Sequence, residues 1–367
     1  MHFRIFETWR LMAALLVMAY HFLRFGPGTP QQFAAGEVLH RLLPLMDMFF
    51  MISGFLILLR YGDRLKDTAG YRRFIVRRLA RFYPLYLVTS VFFVVVAIAL
   101  HLGMVESTQA ERYDYNLLWQ NLLLVQAWGT TENLSFNYVA WSLSAEWFCY
   151  LLLPVYVLVI RRGGLVGLAT LAVLSVIALE VATAAGIIPF DSWLQADTWG
   201  AYRAFADFAV GGVVMMCARD SRWQLRSHLP AWGVFAISIV GMLLLWPSYV
   251  TVFLLALSMF FAALAERNNP ADAEWLSVFS PAGRASFGIY LIHPMVETIL
   301  LAIVWQHFLA PLEVMSFYVF WIVPMVATIF LAMASDRYFE KPVSERLNRL
   351  FGEPEAAGKV QRRNAPA

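Results

Sequence analysis

Charge is scarce in this chain. Lys, Arg, Asp and Glu together make up 14% of its 367 residues, where a soluble protein carries about 25%. Hydrophobic residues make up 60% and the mean hydropathy is +0.62, so an ordinary water-soluble domain is excluded and an integral membrane protein is predicted. Cysteine is scarcer still. Cys149 and Cys217 both fall inside apolar runs, and no disulfide framework is implied. The net charge is only +3, and the basic residues lie beside hydrophobic stretches. Without an independent basic domain, nucleic acid is not an expected partner. No small-residue cleavage site follows the first apolar run, so Leu11 to Phe25 reads as a retained helix, not a removed signal. No internal repeat, heptad array or second soluble domain is visible.

What the chain does have is a series of long apolar stretches. Ten spanning helices are predicted, at 9–25, 43–60, 83–102, 139–160, 164–184, 203–218, 231–246, 249–266, 284–309 and 315–335. The fold class is therefore all-α, a polytopic membrane bundle. With the N-terminus inside, the segments 1–10, 60–82, 161–163, 218–230, 266–284 and 336–367 hold 24 of the 28 Lys and Arg residues. Arg41 and Arg112 are the outer-loop exceptions, and Arg24 and Arg203 lie at helix ends. This asymmetry places both termini on the cytoplasmic side. The segment 115–128 is too short and polar to span, and is expected to lie on the membrane or re-enter it. One membrane domain over 1–345 is expected, with a polar, disordered tail over 346–367. The outer loop at 103–138 carries Glu106, Glu111, Asp114 and Glu132 among Trp, Tyr, Asn and Gln. Such a surface suits a sugar or the membrane interface.

The first helix carries an unusual pair. Arg10 and His21 bracket ten uncharged residues. Eleven helical steps of about 100° bring both to one face, roughly 16 Å apart. Arg10 reads as a flanking positive charge or as a member of a site. His21 is harder to treat as a bystander, since ionisable groups inside spanning helices are costly and usually functional. The second spanning helix contains Asp47, which needs a partner or water, and Ser53-Gly54, a small surface suited to close helix packing. Before the third, Arg73, Arg77, Arg78 and Arg81 gather on one helical face. They read as headgroup anchors or as forks for the phosphates of coenzyme A.

Ser142 and Glu146 lie one turn apart in the fourth spanning helix, and His21 lies at a similar depth in its own. A carboxylate beside an imidazole fixes its tautomer and raises its basicity, as a general base requires. In the ninth helix His293 precedes Pro294, with Glu297 four residues on. This pair is a candidate for lining the same cavity or for a structural role beside a proline kink. Glu180 and Asp207 are isolated acids with no assigned role.

Taken in order, these stretches resemble the acyltransferase-3 family of bacterial membrane O-acyltransferases over about residues 5–345. Arg10 and His21 match its Arg-x10-His helix, and Asp47-Met-Phe-Phe-Met-Ile-Ser-Gly-Phe resembles its Phe-Phe-x-x-Ser-Gly-Phe segment. Arg78-Leu-Ala-Arg81 matches Arg-x-x-Arg, Ser142 to Glu146 matches Ser-x-x-x-Glu, and Tyr290-Leu-Ile-His-Pro294 resembles the late signature. Where many members have a second acid after that glutamate, this chain has Trp147. The resemblance implies acetyl-CoA as co-substrate and a hydroxyl of a cell-surface or lipid-linked carbohydrate as acceptor. Arg77, Arg78 and Arg81 would hold the donor, and His21, Arg10, Glu146, Ser142 and Asp47 would serve the transfer. No bound cofactor and no metal ligands are expected; the resemblance implies a multi-pass protein of the bacterial inner (cytoplasmic) membrane, with the lipid bilayer and glycan-assembly proteins as its surroundings. The competing class is a transporter or flippase, with the buried charges lining a substrate path. No paired inverted halves favour it.

Overall fold

The computed structural model describes residues 3–105, 109–195 and 197–351. No strand occurs among them; the described chain is helices joined by turns and loops. This is what an apolar environment demands, because a helix satisfies its own backbone hydrogen bonds. Among the described residues seven stretches are long and apolar enough to cross a membrane: Pro30–Tyr61, Thr68–His101, Leu153–Ala184, Asp197–Asp220, Ser248–Asn268, Ser286–Leu312 and Phe317–Phe351. Leu229–Leu243 is apolar but shorter.

The first helix, α1 (Arg4–Leu23), runs through the core, with Ile5, Phe6, Trp9, Met18 and Phe22 fully enclosed. α2 (Pro30–Arg41) starts where the Thr29 hydroxyl accepts the Gln32 backbone N–H and Pro30 fixes the first helical φ. α3 (Leu45–Tyr61) follows, and α4 (Thr68–His101) is capped by the Asp67 carboxylate accepting from Gly70 N. α5 (Trp141–Leu151) leads into α6 (Leu153–Ala184), which breaks at Gly164, where φ is +55°. That backbone conformation favours glycine. The break divides the helical run where the sequence separates the stretches 139–160 and 164–184. α7 (Gly200–Asp220), α8 (Leu229–Leu243), α9 (Ser248–Asn268) and α10 (Ser286–Val296) come next. The chain continues past Pro294 in wider turns over Glu297–Leu309, then into α11 (Ile322–Ser335) and α12 (Lys341–Phe351).

The tightest seam joins α3 to α7. A Cβ placed on Gly211 would sit 1.9 Å from the Met51 carbonyl oxygen, and one on Gly54 2.3 Å from that of Phe208. The two backbones touch only because both positions lack a side chain, as helices packed in lipid often require. This accounts for Gly54 in the Ser53-Gly54 pair.

Residues 115–128 fold inward. After short helical turns over Tyr115–Leu117 and Leu118–Leu122 the loop locks onto α5. The Ser144 hydroxyl donates to the Leu124 carbonyl at 2.8 Å and accepts from Ala127 N at 3.1 Å, while Trp128 Nε1 donates to the Ser144 carbonyl. Gln120, Asn121 and Gln126 are buried there, so this irregular backbone is enclosed by protein. α12 packs along α4 and runs to Phe351. The remainder of the expected tail, 352–367, lies outside the described residues, as does Glu106.

Candidate active site

The residues singled out in the sequence fall into three places. A cavity of about 680 Å³ opens near the start of α1. Its size is that of a cofactor or small-molecule site. Arg10 lines it, together with Ser53, Arg78, Arg81, Glu146 and Tyr150. Arg60, Arg64 and Arg284 add three further guanidinium groups, and Glu7 is the second acid. Six arginines thus face two carboxylates.

Within this cavity Arg10 lies 4.5 Å over the Phe49 ring, and its leading attractive electrostatic neighbour is Glu146. Glu146 in turn lies within hydrogen-bonding reach of the Tyr150 hydroxyl. Arg78 sits among three rings, 5.5 Å from Tyr61, 5.5 Å from Phe74 and 5.6 Å from Tyr150. Such an aromatic collar holds the guanidinium in place, and one of its N–H groups reaches the Tyr61 hydroxyl. The Nε atoms of both Arg10 and Arg78 are enclosed and lack a hydrogen-bond partner. Buried polar groups are usually paired, so these donors suit an anionic ligand. Arg77 is not among the lining residues; it reaches the Tyr61 hydroxyl and supports the wall.

The second place is the other end of α1. His21 stacks on His293 with ring centroids 5.5 Å apart and planes 23° from parallel. On its other side it meets the edge of the Tyr138 ring at 4.9 Å. The Tyr138 hydroxyl donates to Glu297 Oε2 at 2.6 Å, and the Arg112 guanidinium lies 4.7 Å over the same ring. His293 is 0% exposed, and neither of its ring nitrogens has a well-formed hydrogen bond. Tyr290 connects this group to Ser142. Its ring lies 5.9 Å from His293, and its hydroxyl is within hydrogen-bonding reach of the Ser142 side chain. The Asn137 side chain fixes the entry to α5 by donating to Thr89 Oγ1 and the Leu291 carbonyl.

The third place lies at the α3–α7 seam and holds Asp47. The Arg203 Nε donates to Asp47 Oδ1 at 2.5 Å, and both side chains are buried. Asp207 and Asp197 face the same guanidinium. A carboxylate on an apolar helix needs a cation, and α7 supplies one across the α3–α7 seam. Asp207, left without a role in the sequence, belongs here. Glu146 differs from expectation. It shares the level of Arg10, roughly 16 Å along α1 from His21, and the electrostatic neighbours of His21 are His293, Arg24 and Arg112.

Sequence reasoning missed several residues. Tyr138 shares the face of Ser142 four residues earlier, a spacing that signals its position on the site. Arg60, Arg64 and Arg284 come from separate segments, and no local pattern connects them. Tyr150 shares a face with Glu146 and was readable in the same way.

Comparison with known proteins places these motifs in context. Residues 4–336 match a family model described as an acyltransferase domain. The acyltransferase MdmB of Streptomyces mycarofaciens is 27% identical over 318 residues, covering 78% of this chain and 77% of its own length. No solved structure matches.

Proposed function

Because the chain belongs to the acyltransferase-3 family, and is by that membership an acyltransferase, we propose that it transfers an acetyl group from acetyl-CoA to a hydroxyl of a cell-surface or lipid-linked carbohydrate. One observation carries the donor half. A 680 Å³ cavity gathers Arg10, Arg60, Arg64, Arg78, Arg81 and Arg284 against Glu7 and Glu146 only. Coenzyme A brings a diphosphate and a 3′-phosphate, and guanidinium forks are suited to both. The cavity also supports the topology. Its arginines come from the segments 1–10, 60–82 and 266–284, which the charge count assigns to the cytoplasmic side. On this reading the chain spans a bacterial inner membrane ten times with both termini inside, and the cavity opens to cytoplasmic acetyl-CoA.

The phosphates then sit at Arg78, Arg81 and the rim arginines, and the pantetheine arm runs along α1 toward His21. Arg10, Glu146 and Tyr150 line the start of that path. Two forms of transfer share this geometry. In one, His21 takes the proton of the acceptor hydroxyl as its oxygen attacks the thioester carbonyl; the C–S bond breaks and the thiolate leaves with a proton. In the other, His21 displaces the thiol first and hands the acetyl group to the hydroxyl. Acetyl-histidine trapped with donor alone distinguishes them. Ser142, Tyr290, His293 and the Tyr138–Glu297 pair surround the reacting end. Asp47 holds α3 to α7 through Arg203.

The test separates an enzyme from a carrier. Membranes containing the protein are given acetyl-CoA labelled in the acetyl group, and free thiol is followed. Thiol release that depends on the protein, and falls in Arg78→Ala and Arg81→Ala, supports the reading. Intact acetyl-CoA in every case would sink it and favour transport.

A further inference from the structure

Arginine is rare at the end of the bundle that carries His21. Four stand at that end: Arg24, Arg41, Arg112 and Arg203. Two of them are occupied. Arg41 donates to Glu37 Oε1 at 3.1 Å and to the Leu243 carbonyl at 3.0 Å, and Arg203 donates to Asp47 and to the Leu194 carbonyl. The other two, Arg24 and Arg112, have no ion pair and no side-chain hydrogen bond among the described residues.

Both of these uncompensated arginines lie beside His21. Arg24 follows it by one helical turn, about 4.5 Å further along α1. Arg112 comes from the loop after α4 and lies over the Tyr138 ring at 4.7 Å, the ring whose edge meets His21. Both act electrostatically on His21 and on Glu297. Among the described residues Glu297 is the one carboxylate placed in this group, and the Tyr138 hydroxyl donates to it. Two guanidinium groups therefore face one acid. Like charges gathered this way repel one another unless a second anion completes the set, and a planar fork matches a carboxylate or phosphate with paired hydrogen bonds.

We infer that Arg24 and Arg112 form an anion subsite beside His21, so that the acceptor is a carbohydrate carrying a phosphate or a carboxylate close to the hydroxyl that is acylated. This rests on the acyl-transfer reading above. The subsite aligns the acceptor: the anion docks between the two arginines, and a neighbouring hydroxyl is presented to the imidazole. A neutral sugar lacks this anchor.

The experiment uses membranes holding the wild type, Arg24→Gln, Arg112→Gln, Arg24→Lys or Arg112→Lys, with labelled acetyl-CoA and the acceptors native to the host. The labelled product is extracted and separated by anion exchange, before and after mild acid and before and after carboxyl reduction. Label retained on the exchanger is expected. Loss of retention after mild acid identifies a sugar phosphate; loss after carboxyl reduction identifies a uronic acid. The retained acceptor is then purified and titrated. The Gln variants are expected to raise its apparent KM about tenfold each, with the Lys variants recovering part of the loss. Added salt should move the wild type toward the Gln variants, as screening weakens exposed charge contacts.

A neutral labelled product overturns the inference, and so do Gln variants that match the wild type. So does a loss seen in phosphatidylglycerol vesicles but absent in phosphatidylcholine, since the arginines would then be serving lipid headgroups. If wild-type membranes leave acetyl-CoA unconsumed, the acyl-transfer reading itself fails, and the two failures are distinguishable.

Discussion

The imidazole rings of His21 and His293 stack 5.5 Å apart, 23° from parallel, although 272 positions separate them in the chain. This contact joins the first helix to α10 at the end of the bundle away from the arginine cavity. His293 is fully enclosed, so on the proposed reading its ring fixes the plane of His21. Replacing it with Ala should therefore lower kcat on the order of 10²-fold, the cost of a small misplacement of a reacting group. The donor KM should hold. His293→Phe keeps the stack and should recover part of kcat. An equal loss in KM would instead mean that the bundle has rearranged.

A second prediction concerns Asp47 and Arg203. Breaking a buried ion pair by removing one partner costs about 3–5 kcal/mol. Asp47→Ala should reduce the folded yield and the melting temperature in detergent. The paired change Asp47→Leu with Arg203→Met should restore part of both, because neither member of the broken pair is left charged while Asp207 still loses its cation. Acetyl transfer per folded molecule should survive in the paired variant. A folded but inactive paired variant would return Asp47 to the chemistry.

The rim of the cavity offers a third. Arg60 and Arg64 are exposed beside the deeper Arg78, at a level suited to the 3′-phosphate of the donor. Wild type should prefer acetyl-CoA to its 3′-dephospho form. Arg60→Gln combined with Arg64→Gln should raise the KM for acetyl-CoA about tenfold and abolish the preference. A preference that persists would assign the 3′-phosphate elsewhere.

A fourth lies outside the spanning stretches. The Asp272 carboxylate accepts from the His228 backbone N–H at 2.7 Å and lies 2.5 Å from its Nδ1. That backbone bond, with the ring beside it, holds the carboxyl below its usual range. A group whose pKa is depressed on folding stabilises the fold above its unfolded pKa and loses that contribution as pH falls through the folded value. The wild type should therefore lose melting temperature on acidification more than Asp272→Asn does, with the two converging at low pH. Parallel curves would contradict this.

How much of this was legible in the sequence follows from the range of each signal. The helices were legible because apolar runs and glycine breaks are local: Gly164 divides two stretches that composition already separated. The arginine face of α4 and the Ser142–Glu146 turn were legible for the same reason. Partners across the bundle were not. Nothing near Asp47 in the chain points to Arg203, 156 positions away, and the shared level of Glu146 and Arg10 depends on how α5 is set against α1. Arg284 reaches the cavity only because the short turn Ser280–Arg284 packs on α1. The placement of Arg112 depends on the fold of a loop with no periodicity of its own.

The central claim is that His21 carries acetyl transfer at the far end of α1 from the donor cavity. Membranes with wild type or His21→Ala, at equal protein levels, are incubated with labelled acetyl-CoA and host glycolipid, and label is followed into carbohydrate. Transfer by the wild type that is lost in His21→Ala is the predicted result. Equal labelling by both would contradict the account and remove His21 from the reaction.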